Sequence, residues 1–378
     1  MTVFGVQRRN PIPEHTLNLQ NLYLKDRHRF KRQGRNQLGN LRKDYVLEKF
    51  VILPFQNDIV GEAKFRSECP FCPGNELMTE RATLALVAKD GILKRLSDTE
   101  ENLIEGWCVR VFQSSNPSVT TSEGVDYTDK PHYSEPAYGY HQIVVASPDH
   151  NQKLSSISIE QWTNVLLVIQ DRVRWLYTQK GVTYVSIYVN DGLAAGAALS
   201  HPHLNLLTLS TIPPIIEIEA DAAHKFMNEN GNCPACVTLG IESEGPRQIL
   251  STDTYIAFSP WASSYPYEFW IYPKKHMTTF TKISQKEISG LAMILRATLG
   301  GLSRALDSVP FNLVFHLSPE KKNSRQIHWH IEVYPQLHTW SGLERGYGVY
   351  VNSIGPEKSA EILGAACRKE LAGLVGIT

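Results

Sequence analysis

Over much of the chain, short runs of β-branched and aromatic residues are bounded by turn residues. LEKFVILPF (47–55), CVRVF (108–112) and HQIVVAS (141–147) read as strands on this pattern. Between 158 and 178 the period changes. Apolar positions in SIEQWTNVLLVIQDRVRWLYT recur at helical spacing, and Ser158 stands where an N-cap belongs, ahead of Glu160 and Gln161. TYVSIYV (183–189) predicts another strand, NDGLAAGAALS (190–200) a glycine- and alanine-rich turn, and HPHLNLLTL (201–209) a strand again.

The same order then returns. Strands are predicted at TYIAF (254–258) and YEFWIYP (267–273), and a long helix at SQKEISGLAMILRATLGGLSRAL (284–306). FNLVFHL (311–317), the polar loop SPEKKNSRQ (318–326) and the strand HWHIEVYP (328–335) follow, with one more helix over 356–374. A repeat of this length is too long for a solenoid and reads as a duplicated α+β domain. The polar stretch 1–40, rich in Arg, Asn and Gln, reads as an extended arm, suited to packing on a partner subunit.

Length and composition narrow the function. A chain of 378 residues is long enough for two domains, and 42% hydrophobic content fills ordinary cores. Lys plus Arg equals Asp plus Glu at 38 each, which argues against a dedicated nucleic-acid or anionic-membrane binder. No apolar run approaches the roughly 20 residues of a membrane span, and MTVFGVQRRNPIPEH lacks a signal-peptide core. A cytoplasmic location is the expectation.

Four of the six cysteines form Cys-x-x-Cys pairs, Cys69/Cys72 and Cys233/Cys236, while Cys108 and Cys367 stand alone. In a reducing compartment such pairs read as zinc or redox sites before disulfides. The prolines in CPFCPGN and CPAC predict tight turns, which suit a metal knuckle. Histidine spacing supports metal. His150 lies 51 residues before His201, and His276 lies 52 before His328. Two thiolates and two imidazoles close a tetrahedral zinc shell, the mark of a structural site. The expected sets are Cys69, Cys72, His150 and His201, then Cys233, Cys236, His276 and His328. In His201-Pro202-His203 a twist at the proline can aim one imidazole at metal and the other at substrate. A neutral imidazole can attack phosphorus, and the preceding Gly/Ala turn lets backbone N–H groups approach phosphate.

Taken in order, CPFCPGNE, SPDHN, NDGLAAG, SHPHLN, FSPWASSYPYEFWIYPKKH and HWHIEVYP resemble the galactose-1-phosphate uridylyltransferase family, as does LRKDYVLEKFVILPF at the start. The resemblance covers about residues 41–355. It implies an α+β fold of tandem histidine-triad-like domains, each an antiparallel half-barrel sheet with helices. The division would be an arm at 1–40, a catalytic domain at 41–212, a second domain at 213–355 and a C-terminal helix at 356–378. It also implies a homodimer, two structural zinc ions per chain, and a two-step exchange of UMP between a nucleotide sugar and a sugar 1-phosphate. His203 matches the family nucleophile, and Asn190 and Gly196 match phosphate-side positions.

The chain departs from the family at several points. His-Pro-His-Gly-Gln becomes His-Pro-His-Leu204-Asn205, and Asn205 keeps the amide on a side chain one methylene shorter. Ala198 replaces a phosphate-contacting Ser, with Ser200 nearby. PFQND lacks the arginines expected after the first strand, and Gln113-Ser114-Ser115, followed by Asn116, replaces a Pro-Asn-Lys segment. Tyr347 and Asn352 stand where sugar-binding residues differ. For the second metal, the family offers another set, matching Glu219, His316, His328 and His330. Thiolates outcompete carboxylates for zinc, and the repeat favours the cysteine set. Besides nucleotidyl exchange, two readings compete. One is a phosphorylase or hydrolase using the same histidine, and the other a degenerate nucleotide-binding protein.

Overall fold

The computed structural model describes residues 39–53, 68–89, 91–121, 128, 131–319, 326–374 and 376. The arm expected over 1–40 lies outside these, except for its last two residues, which lead into the first strand. The PFQND segment also lies outside.

Eleven strands form one antiparallel sheet. From the chain's first half come β3 (Ala82–Lys89), β4 (Ile92–Leu96), β5 (Trp107–Gln113), β7 (His141–Val145), β8 (Tyr184–Asp191) and β9 (His203–Leu209). The second half adds β10 (Gln248–Ser251), β11 (Tyr255–Phe258), β12 (Phe269–Pro273), β13 (Phe311–His316) and β14 (His330–Pro335). The order is β10-β11-β12-β14-β13-β8-β9-β7-β5-β3-β4. Outward from the β8–β13 junction, each half runs hairpin strand, His-x-His strand, then strands of decreasing sequence number. The repeat seen in the sequence is therefore a repeat of topology, with β4 as an extra edge strand. The two halves join edge to edge, Asn312 opposite Asn190 and Leu313 opposite Val189. A small second sheet, β2 (Phe50–Leu53), β1 (Asn40–Lys43) and β6 (Ser134–Pro136), is formed by neighbouring segments of the first half.

Two helices cover one face of the large sheet. α1 (Ile159–Thr178) starts where expected, with the Ser158 hydroxyl accepting the Gln161 N–H. Its Trp162, Val165, Leu166, Ile169, Val173 and Leu176 recur every three or four residues and are buried in the main core. α4 (Gln285–Ala305) opens with a full capping box between Ser284 and Glu287. The sequence pattern missed α2 (Pro214–Asn230), α3 (Pro234–Glu242) and the short α5 (Gly342–Tyr347). α2 leaves Ile215 and Ile218 exposed, so its apolar stripe is broken, and Pro214 reads as a breaker although it sits at N1, where proline fits.

The C-terminal helix α6 (Pro356–Leu374) packs on α4 at Gly300 and Gly301. A Cβ at Gly301 would lie 2.4 Å from Cys367 Sγ and 2.8 Å from backbone atoms of Cys367. Alanine would gain about 1 kcal/mol of helix propensity. The backbone overlap cannot be relieved by rotating a side chain, and overpacking costs about 1–3 kcal/mol. The clash wins, so Gly301→Ala should lower the midpoint of thermal unfolding, measured by calorimetry against the wild-type chain. Cys367 is buried in this contact, and burial pushes its thiol up to about 12. It reads as a packing residue.

Candidate active site

Strand alternation sorts β9 into two faces. Leu204 and Leu206 are fully buried in the helix-side core, while His203 and Asn205 point to the other face. Leu204, where the family carries glycine, is therefore held away from the histidine face. Sheet pairing adds Val145 opposite His203, and Ile143 and Tyr188 opposite Asn205. Phe71 stands edge-on to His203, with ring centroids 5.3 Å apart.

The two histidines of His-Pro-His are separated in role by their backbone bonds. His203 Nδ1 lies 2.7 Å from the His201 carbonyl. A carbonyl only accepts, so Nδ1 carries the proton and Nε2 keeps its lone pair. His201 is bonded the other way, Nε2 to the Ser147 carbonyl at 2.7 Å, which leaves its Nδ1 lone pair toward the cysteines. Burial lowers the pKa of both rings, so both are neutral near pH 7.

Cys69, Cys72, His150 and His201 converge, their ligand atoms all within 4.8 Å of one another. Sulfur–nitrogen distances are 3.7 Å from Cys69 to His201, and 3.5 and 3.7 Å from Cys72 to His150 and His201. Tetrahedral bonds of zinc length place S and N about 3.6 Å apart. Burial, then the neighbouring Cys69, pushes the Cys72 thiol up to about 11, and a divalent cation between the thiols would reverse that penalty. The donor set thus fits zinc.

The second set, Cys233, Cys236, His276 and His328, converges likewise, with Cys236 Sγ 3.3 Å from His276 Nδ1 and 3.7 Å from His328 Nδ1. Burial and two neighbouring imidazoles pull His328 down to about 4, in keeping with a neutral ligand. The expectation of a tight turn fails here. Cys233 is the N-cap of α3 and Cys236 lies in its first turn, because Pro234 occupies N1 and supports helix entry instead of stopping it. The alternative set does not compete in space. His328 sides with Cys236, while Glu219, His316 and His330 form a third cluster. There Glu219 meets His316 at 2.9 Å, and His330 Nε2 meets Glu332 at 3.1 Å. Burial alone would lower the pKa of His316, but the two carboxylates outweigh it and raise it.

Among the other expected residues, Asn190 lies on β8 next to the histidine face, its Oδ1 accepting from Asn312 Nδ2 at 2.8 Å. Gly196 ends the following turn at φ 85°, a left-handed conformation that suits glycine, close to the Asn190 amide. The Ser200 hydroxyl bonds His150 Nε2 at 3.3 Å, so it touches a metal-site ring. Ser114 and Asn116 form a loop after β5 that closes on His141, the Ser114 N–H donating to its carbonyl at 2.7 Å. Tyr347 is exposed at the end of α5, and Asn352 donates to the carbonyls of Ser263 and Tyr265. No hydrogen bond among the described residues joins these two to the His203 face. Sequence reasoning missed Phe71, His141, Asn312 and Gln336, whose amide holds Asn312 Oδ1 at 2.8 Å. His141 had a signal: it alternates with Ile143 and Val145 on the face of β7 that meets Asn205 and His203.

Residues 132–371 match a family described as a domain of unknown function, DUF4921. The chain belongs to that family. It is 27% identical over 345 residues to the ADP-glucose phosphorylase of Arabidopsis thaliana, covering 87% of this chain and 93% of the relative. To the galactose-1-phosphate uridylyltransferase of Thermotoga maritima it is 28% identical over 335 residues, covering 85% and 97%. A solved uridylyltransferase structure superposes with a TM-score of 0.73 at 25% identity, over 87% of this chain and 99% of the other. This DUF4921 member is thus a divergent enzyme of the uridylyltransferase-like group, with an α+β fold built from two topologically repeated antiparallel halves. Among the described residues no helix is long and apolar enough to cross a membrane.

Proposed function

We propose that this chain is a cytoplasmic, homodimeric nucleotidyltransferase that moves a nucleoside monophosphate between a nucleotide sugar and a sugar 1-phosphate through His203. The observation that carries this reading is the His203 ring itself. Its Nδ1–H is tied to the His201 carbonyl, and its Nε2 lone pair is left on a face that also carries Asn205. In the first step the Nε2–P bond forms at the α-phosphorus and the P–O bond to sugar 1-phosphate breaks. In the second, an acceptor oxygen makes a new P–O bond and the N–P bond breaks. One prepared histidine then serves both displacements.

The other roles follow the resemblance to the uridylyltransferases. Asn205 donates to a nonbridging phosphoryl oxygen. Asn190, Gly196 and Ser200 border the phosphates, and Ser114 and Asn116 border the nucleoside. Tyr347 and Asn352 belong to the sugar side. Cys69, Cys72, His150 and His201 hold one zinc and Cys233, Cys236, His276 and His328 a second, both structural. The first holds His201, and with it the carbonyl that fixes His203.

Asn205→Ala should slow formation of the nucleotidyl-histidine by roughly 10–1000-fold, the range for loss of one preorganised donor to developing charge. Single-turnover labelling with UDP-glucose and ADP-glucose measures this. A rate equal to wild type would remove Asn205 from the phosphate site. A second acceptor reading draws on the alignment with the plant ADP-glucose phosphorylase over 93% of its length. Inorganic phosphate would then take the nucleotidyl group. A panel of nucleotide sugars, each offered phosphate and sugar 1-phosphates in turn, separates the two acceptors by which one discharges the labelled protein.

A further inference from the structure

We propose that His141 is a positioning residue, which turns the Asn205 amide so that its N–H₂ end, and not its carbonyl, meets the transferring phosphoryl group. The inference rests on the reading of His203 and Asn205 given above and extends it to a side chain that acts through Asn205.

The Ser118 backbone N–H lies 3.2 Å from His141 Nδ1. A backbone N–H can only donate, so Nδ1 must be the unprotonated nitrogen. Burial lowers the pKa of His141 and outweighs the raising effect of its bond to Asn205, so the ring is neutral and carries its single proton on Nε2. Nε2 lies 3.2 Å from Asn205 Oδ1. The bond therefore runs from His141 Nε2–H to Asn205 Oδ1, and Nδ2 is the end of the amide left for another partner. Turning the amide over would set N–H₂ against N–H in a site where both residues are 7% exposed. That loses one bond and leaves buried donors unpaired.

Two features make the arrangement more than a packing contact. The Ser118 N–H belongs to the loop that carries Ser114 and Asn116, and the Ser114 N–H also bonds the His141 carbonyl. His141 is thus held at backbone and ring by the loop proposed to border the nucleoside. An amide with its carbonyl toward a phosphoryl oxygen would repel it, so the wrong rotamer costs twice. Asn205 needs this control more than a glutamine would, because its shorter side chain has fewer ways to present N–H.

The test uses the whole chain. His141→Phe should slow labelling by ADP-glucose or UDP-glucose about 10-fold, less than full loss of the Asn205 donor. KM should stay nearly unchanged. His141→Gln should restore the rate to within about 3-fold of wild type, since its Oε1 can accept from Ser118 and its Nε2 can donate to Asn205. In an Asn205→Ala background, His141→Phe should add less than about 2-fold, because both changes remove one interaction. A full 10-fold further loss in that background, or no rescue by glutamine, would overturn the proposal in favour of simple packing. Nitrogen NMR of the histidine rings gives a readout independent of turnover. The Nε2–H tautomer of His141 is expected, and an Nδ1–H tautomer overturns the proposal. If neither sugar nucleotide labels wild-type protein, the proposed function fails, and the tautomer still decides the orientation of Asn205.

Discussion

His203→Ala should lose nucleotidyl labelling by a factor of about 10⁴ or more, the scale on which removing a covalent nucleophile acts. The ring can be removed with little structural damage. It lies on the face of β9 opposite the helix-side core, and its bond to the His201 carbonyl is local. Phe71 is its main aromatic contact. Metal content and the unfolding midpoint should therefore stay close to wild type while exchange between sugar nucleotide and sugar 1-phosphate disappears. Added imidazole is a useful control, since a free base entering the vacated space can accept the nucleotidyl group directly. Zinc loss in His203→Ala equal to that in His201→Ala would make His203 a ligand and remove the enzyme mechanism's main support.

His201→Ala should do the reverse in its first effect. Metal analysis should fall from close to two ions per chain to close to one. The three remaining donors still hold the turn in place, so the stability lost is a fraction of what a full site contributes. A structural zinc contributes about 10–16 kcal/mol in small peptides, so one ligand of four carries about 3 kcal/mol. At roughly 2 °C per kcal/mol for a large chain, the unfolding midpoint should drop about 6 °C. Labelling falls as well, because the backbone whose carbonyl orients His203 loses the side-chain anchor that the metal gives it at position 201. Cys233→Ser should lower stability without touching labelling, since its set lies in the other half of the repeat. Wild-type protein holding close to three ions would place a further one in the Glu219, His316 and His330 cluster. Folded protein with no metal would contradict the zinc assignment.

Much of this architecture could be read from the chain because its strongest signals are local. Ser158 and Ser284 cap their helices by bonds within one turn, so the residues that decide the boundary sit beside it. The matched histidine spacing is likewise a property of the sequence, and it pairs each His with the Cys-x-x-Cys that the fold brings to it. What escaped depends on contacts between distant segments. Asn312 reaches Asn190 only because β13 pairs with β8 across the repeat. Phe71 meets His203 only when the first Cys-x-x-Cys turn folds onto β9. His328 offered itself to two ligand sets in sequence, and only the direction of its Nδ1 divides them. Pro234 read as a turn because a proline ahead of a helix and a proline in a turn look alike without the following hydrogen bonds.

The most direct measurement is to locate the covalent intermediate. Wild-type protein is incubated with ADP-glucose or UDP-glucose carrying label in the α-phosphate, quenched in base, digested and sequenced by mass spectrometry. One nucleoside monophosphate per chain, acid-labile and base-stable, attached to His203 in the peptide that also contains His201, is the expected result. An adduct on any other residue, or none across a panel of nucleotide sugars in metal-replete protein, would contradict it.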